Sequence, residues 1–213
     1  MKKYILQTII ILVLALINSG VYAQDNRTLD TKVADLLAQM PASDLVYRNR
    51  LLTDLVELGP EGFQKITNQL TPPGKDDDTA ARFAINSLSR YGSEFGKEKI
   101  RKFVETNLLN ALEKESDKDI KVFLIHQLNL VASAKSVATV KKYLTDEHLS
   151  EPVTQLLLSV KGEVAAQALL EVLPNTTAKI QITLVKALGE LRCMLAVEEI
   201  TPLVQTTNPI LKK

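Results

Sequence analysis

The sequence predicts an all-α fold, a solenoid of antiparallel helix pairs, and three observations predict it. Leu128, Leu158 and Leu188 return every thirty residues, each inside a helix-period run. Repeats of roughly 20–50 residues stack units that can bury their apolar faces only against their neighbours. No segment shows the two-residue alternation of a half-buried strand. Punctuation recurs between the runs, at Gly59-Pro60, Gly162, Pro174-Asn175 and Asn208-Pro209, residues that end helices or open them.

The first 23 residues read as an address. Lys2 and Lys3 precede an apolar run, Ile9 to Ile17, and then the stretch ending Val21-Tyr22-Ala23. That is the grammar of a secretory signal peptide, with cleavage expected after Ala23. The apolar run is far shorter than the roughly 20 residues a spanning helix needs, and no cysteine follows it to carry a lipid. No membrane anchor is expected after cleavage, and the mature chain, residues 24–213, is expected in the periplasm or outside the cell.

The whole chain holds 26 basic and 25 acidic residues. Loss of Lys2 and Lys3 leaves 24 against 25, a net charge of −1. A nucleic-acid binder needs a basic excess on one face to hold phosphates, so nucleic acid is discounted as a partner. The local cluster Lys97, Lys99, Arg101 and Lys102 is interleaved with Glu98, Ile100 and Phe103, the pattern of a solvated helix face beside a buried one. The single cysteine, Cys193, cannot form an intramolecular disulfide and reads as a small packing residue. A chain that is 46% hydrophobic can supply one continuous core without covalent staples.

Residues 31–39 and 43–58 carry apolar positions three and four apart and predict two helices. Gly59-Pro60 ends the second and opens a third, running through Phe63 to Leu70. The segment Thr71 to Asp78 reads as a loop, and Asp76, Asp77 and Asp78 are expected to cap the helix starting near Thr79 rather than to bind calcium, because their spacing is not that of an EF-hand. Ala81, Ala84, Ile85, Leu88 and Tyr91 line the next helix face. A long amphipathic helix follows from residue 97, with Ile100, Phe103, Val104, Leu108, Ala111 and Leu112 on its buried side. Ser116 with Asp119 predicts a capping box. Ile120, Leu124 and Leu128 then recur as Ile180, Leu184 and Leu188, and the return helices carry Val140 and Leu144, Leu169 and Leu173, Ile200 and Val204 at similar offsets. The expected organisation is a signal peptide at 1–23, irregular helical repeats at 24–115, and regular repeats at 116–213 whose last unit is incomplete.

The stretch from Ile180 to Val204, in which one helix closes on Ala187-Leu188-Gly189-Glu190-Leu191 and a second is rich in alanine, valine and leucine, resembles the HEAT-like repeat family in its short bacterial form. The resemblance covers 116–213 well and 43–115 loosely, because the forty-residue step from Leu88 to Leu128 breaks the period. It implies a right-handed, armadillo-type superhelix used for protein recognition, and it carries no catalytic residue onto this chain. The segment from Leu55 to Tyr91 is similar to the helical N-terminal region of exported bacterial proteins that join HEAT-like repeats to a concanavalin-like domain of the DUF1080, or 3-keto-disaccharide hydrolase, type. That resemblance implies an alternative, the helical accessory portion of a carbohydrate-processing enzyme, whose all-β catalytic domain no segment here could form.

Chemistry-bearing residues are sparse. His126 and His148 lack cysteine or paired acidic partners at metal-ligand spacing. His126 is expected to be a partly buried structural histidine and His148 to face solvent. There is no glycine-rich phosphate loop, nucleophile elbow or recognisable triad. Glu190, Glu198 and Glu199 are the scattered acids any helical-repeat surface carries, and Asn26-Arg27-Thr28 and Asn175-Thr176-Thr177 are formal glycosylation sequons. No catalytic, metal-binding or cofactor-binding residue is therefore expected. The leading expectation is an exported, non-catalytic recognition or scaffold module that binds a protein, or another domain of the same protein, along a concave row of second helices at 135–144, 163–173 and 194–204. Lys141, Gln167 and Glu199 are its candidate contact residues.

Overall fold

The computed structural model describes residues 25–204, and among them the chain is all-α, with no strand. Eleven α-helices follow one another: α1 Leu29–Leu37, α2 Leu45–Glu57, α3 Gly59–Thr67, α4 Thr79–Ser93, α5 Glu98–Lys114, α6 Lys118–Val131, α7 Ala134–Val140, α8 Ser150–Val160, α9 Gly162–Val172, α10 Ala178–Glu190 and α11 Ala196–Val204. Single 3-10 turns, Lys141–Tyr143 and Leu173–Asn175, extend α7 and α9. The signal-peptide reading of residues 1–23 and the Asn208-Pro209 helix start lie outside the described residues.

Local chemistry sets the helix boundaries. The side chains of Thr28, Asp44, Asp117 and Ser133 each accept a backbone N–H in the first turn of α1, α2, α6 and α7, satisfying donors that have no partner inside the helix. Gly59 takes φ 69° between α2 and α3, a left-handed value that favours glycine, and Pro60 follows in the first turn of α3, where its missing N–H costs nothing. The 71–78 loop is closed by Asp78. Its carboxylate accepts the Thr71 N–H at 2.9 Å and the Arg82 Nε–H at 2.8 Å, while Arg82 Nη2 donates to the Thr71 carbonyl at 2.8 Å. Burial pushes the Asp78 carboxyl up, but the bonds from Arg82 and the Thr71 amide outweigh it and hold the group below its ordinary value. Asp77 Oδ1 accepts the Thr79 N–H at 3.0 Å, whereas the Asp78 side chain caps no α4 amide, so of the expected acidic cap the bond from Asp77 is the part the structure holds.

Packing alternates along the chain. The even-numbered helices α2, α4, α6, α8 and α10 each rest on the next of their set, and so do the odd-numbered helices α1, α3, α5, α7 and α9. One apolar cluster runs from Val33 to Ala196 through both sets, so the turn at 115–117 does not divide the core. Hydrogen bonds repeat the step: Arg101 to Val131, Tyr143 to Leu112, Ser159 to Asn129 and Lys141 to Glu171 all join groups 30 or 31 residues apart. The corresponding link between α4 and α6, Asn86 Nδ2 to Gln127 Oε1, spans 41 residues. The longer step arises because α5 has 17 residues where α7 has 7. Gly92 near the end of α4 lets the α5 backbone approach, since a Cβ there would sit 3.3 Å from Arg101 Cα.

Three expectations are corrected. Leu158 is only half-buried, and Leu157 takes the fully buried place that corresponds to Leu128 and Leu188. The step is 29 residues and then 31, visible also in the buried series Ile120, Leu149, Ile180. The cap of α6 is Asp117, whose Oδ1 accepts the Asp119 and Ile120 N–H groups, and not a box made by Ser116. Asp146 repeats that geometry 29 residues later toward His148 and Leu149. His126 is exposed rather than partly buried, because its neighbours Leu124, Ile125 and Gln127 take the inward positions of α6.

Candidate functional site

The helices α7 and α9 are built from small side chains. Their sequences, AKSVATV and GEVAAQALLEV, put Ala134, Ala138 and Ala168 where longer residues would fill the space between neighbouring helices. The result is a groove of about 390 Å³. Val137 and Val164 complete its apolar floor. Val137 is buried, whereas Val164 remains 53% exposed, an apolar surface that solvent contacts directly.

Both helices are held in place from outside the groove. Ser133 caps α7, accepting the Lys135 N–H at 3.3 Å. The 3-10 turn after α7 is fixed by Tyr143, whose hydroxyl donates to the Leu112 carbonyl at 3.3 Å. The Lys121 and Lys142 ammonium groups lie 5.3 and 5.2 Å from the centre of the Tyr143 ring, within cation–π range. The Lys142 pKa is raised, chiefly by its hydrogen bond to Glu113. The turn into α9 is tighter. Lys161 adopts φ 61°, ψ −176°, a region almost reserved for glycine, and Gly162 follows at φ 76°. This sharp corner delivers Glu163 to the groove's rim and Val164 to its floor.

A polar rim surrounds the floor. Lys141 Nζ donates to Glu171 Oε2 at 2.7 Å, tying the end of α7 to α9. Both side chains are nearly half exposed, so the pair sets the rim's geometry more than its stability. Glu163 and Gln167 line the same groove, and among the described residues no hydrogen-bond partner holds the Gln167 carboxamide. Of the three contact residues expected from sequence, Lys141 and Gln167 are thus brought together. Glu199 is exposed on α11 and does not line the groove. Sequence reasoning passed over Val164, although its placement three and seven residues before the exposed Gln167 and Glu171 on α9 was the available signal.

His148 is exposed, with Nε2 2.9 Å from Asp119 Oδ1, and Asp146 is held below its ordinary pKa, first by Lys118 and then by the His148 and Leu149 amides against the opposing effect of burial. Among the described residues no group of three or more histidine, cysteine, aspartate or glutamate side chains is placed to hold a metal ion. No described helix is long and apolar enough to cross a membrane. No protein-family model, curated protein or solved structure matches the chain.

Proposed function

We propose that the chain is an exported, non-catalytic α-solenoid that recognises a protein segment along its odd-numbered helices, with the α7–α9 groove as the contact. The alternate-helix packing and the hydrogen bonds that recur 30 or 31 residues apart support a stack of antiparallel helix pairs, and the HEAT-like character of residues 180–204 gives it a right-handed, armadillo-type form. Export rests on the Lys2 to Ala23 pattern. The observation that carries the recognition reading is Val164, exposed in the floor of a trough whose rim is Lys141, Glu163, Gln167 and Glu171. Such a site suits an amphipathic segment that places apolar side chains on the floor and polar groups against the rim. The segment belongs to a separate protein or to another domain of the same one.

The test is affinity capture from an extract of the exported compartment, with mass spectrometry of what is retained. Wild type is compared with Val164→Glu and with Phe95→Ser, which alters a fully exposed side chain on the α4–α5 turn. A protein retained by wild type and Phe95→Ser but lost with Val164→Glu supports the reading. Equal retention by all three contradicts it. A sugar-hydrolysis assay on the same preparation tests the enzymatic alternative, and measurable hydrolysis would overturn the non-catalytic assignment.

A further inference from the structure

Phe95, on the turn between α4 and α5, is fully exposed, and the backbone holds it there. The Lys97 N–H donates to the Glu94 carbonyl at 3.3 Å, and Gly96 takes φ 80°, the left-handed value that a type II turn needs at its third residue. The aromatic ring at the second place of this turn projects from the surface, and an apolar side chain left in water contributes nothing to folding.

Cations surround it. Arg90 lies in the last turn of α4, and Lys97, Lys99, Arg101 and Lys102 follow on the turn and on α5. Arg101 donates to the Val131 and Ala132 carbonyls at 3.0 and 3.2 Å, which holds the α6–α7 turn and its exposed Lys135 alongside. Among the described residues none of these six cations is in an ion pair, whereas Arg82, Lys118, Lys141 and Lys142, at the opposite ends of α4, α6 and α7, all are. Lys97 has a structural task, since its ammonium lies 4.2 Å from the centre of the Tyr91 ring and donates to the Tyr91 hydroxyl at 2.6 Å. Lys99 and Lys102 are exposed and have no side-chain partner among the described residues, and Lys99 sits in the first turn of α5, where a cation opposes the helix dipole. Folding does not account for them. Against the six cations stand Glu94, Glu98 and the buried Glu105, a local excess of +3 in a chain whose net charge is +1.

We infer that this turn docks the chain on an anionic phospholipid surface, with the Phe95 ring entering the boundary between headgroups and acyl chains and the lysines meeting lipid phosphates. Interfacial binding combines buried apolar area with attraction to anionic headgroups, and each lysine or arginine held near such a surface adds to it. A projecting ring among unpaired cations supplies both. A protein interface here would lack the apolar core that such interfaces have, because the side chains that flank Phe95 are charged, whereas a lipid surface needs only a wedge and counter-charge. The inference is independent of the protein-recognition reading, whose groove lies on α7 and α9.

Vesicle co-sedimentation of residues 24–213, which hold the whole described fold and leave out the apolar run 9–17, tests it. The chain has no tryptophan, so Phe95→Trp places a single fluorescent reporter on the turn. Vesicles of equal parts phosphatidylcholine and phosphatidylglycerol are expected to sediment the chain and to shift the Phe95→Trp emission to the blue, and phosphatidylcholine vesicles to do neither. Phe95→Ser, and Lys99→Gln combined with Lys102→Gln, are each expected to weaken binding about tenfold, and raised salt to weaken that of wild type. These variants change exposed side chains that have no partner, so folding is not at stake. Lys75→Gln, beyond the opposite end of α4, is expected to bind as wild type does. The inference is overturned if phosphatidylglycerol vesicles retain no more chain than phosphatidylcholine vesicles, if the Phe95→Trp emission does not move on binding, or if Phe95→Ser or the lysine pair binds as tightly as wild type. It is overturned in favour of a protein partner if polyglutamate, an acidic peptide, shifts that emission more than the vesicles do.

Discussion

Ser136 on α7 donates its hydroxyl to the Glu105 carboxylate on α5 at 2.6 Å, across 31 residues of chain. The same oxygen accepts the Ser133 N–H and hydroxyl, each at 2.7 Å. One turn earlier on α5, Arg101 donates to the Val131 and Ala132 carbonyls at 3.0 and 3.2 Å. Together they grip both ends of the α6–α7 turn. Glu105 is 7% exposed, so its removal strands buried donors. Glu105→Ala is predicted to cost about 3 kcal/mol, and the more exposed Arg101→Ala about 1 kcal/mol, in urea unfolding. A Glu105→Ala loss well below 1 kcal/mol would mean that the turn holds itself.

The Asp78 clasp predicts a pH signature. Its pKa is depressed in the folded chain, so its stabilising contribution is complete above the ordinary aspartate value of about 3.9 and is lost as pH falls through the lower native value. Asp78→Asn is predicted to lower stability by about 1.5 kcal/mol near neutral pH. The deficit should shrink below about pH 4. Unfolding free energies measured from pH 2 to 7 on both proteins check this, and a deficit constant across that range contradicts it.

The corrected register makes neighbouring leucines unequal. Leu157→Ala removes a fully buried side chain and is predicted to cost about 3 kcal/mol, whereas half-buried Leu158→Ala should cost about 1 kcal/mol. Thermal or urea unfolding of the pair distinguishes them. Equal losses would restore the strict thirty-residue reading.

Two side chains occupy left-handed backbone positions. Lys161 lies at φ 61° and Arg192 at φ 53°. Arg192 follows the last turn of α10, where its N–H bonds Gly189 O and the Cys193 N–H bonds Leu188 O, the pairing in which glycine is favoured. Lys161→Gly and Arg192→Gly are each predicted to stabilise the chain by about 1 kcal/mol, raising the melting temperature by a few degrees. A fall in melting temperature for Lys161→Gly would contradict the strained geometry.

Much of the fold is legible in local sequence. Gly59-Pro60, the 71–78 loop, Gly162 and Pro174-Asn175 mark their turns because each acts through its own backbone. Periodicity places the buried leucine of α8 one residue late, because half-buried Leu158 directly follows buried Leu157 and steps of 29 and 31 average to 30. The Glu105 and Arg101 clamp was illegible for a different reason: its partners lie 28 to 31 residues away, and no local pattern distinguishes them from a solvated face. The site shows the same division. Lys141 and Gln167 follow from their place on second helices, but the groove's depth depends on alanines that pack at a distance, and Glu199 shares the sequence logic without sharing the groove.

Hydrogen exchange of the full chain with and without its captured partner tests the recognition surface most directly. Slowed exchange is predicted across residues 134–143 and 162–172, and no such slowing in Val164→Glu mixed with the same partner. Protection confined to α8 and α10, or unchanged by Val164→Glu, would contradict it.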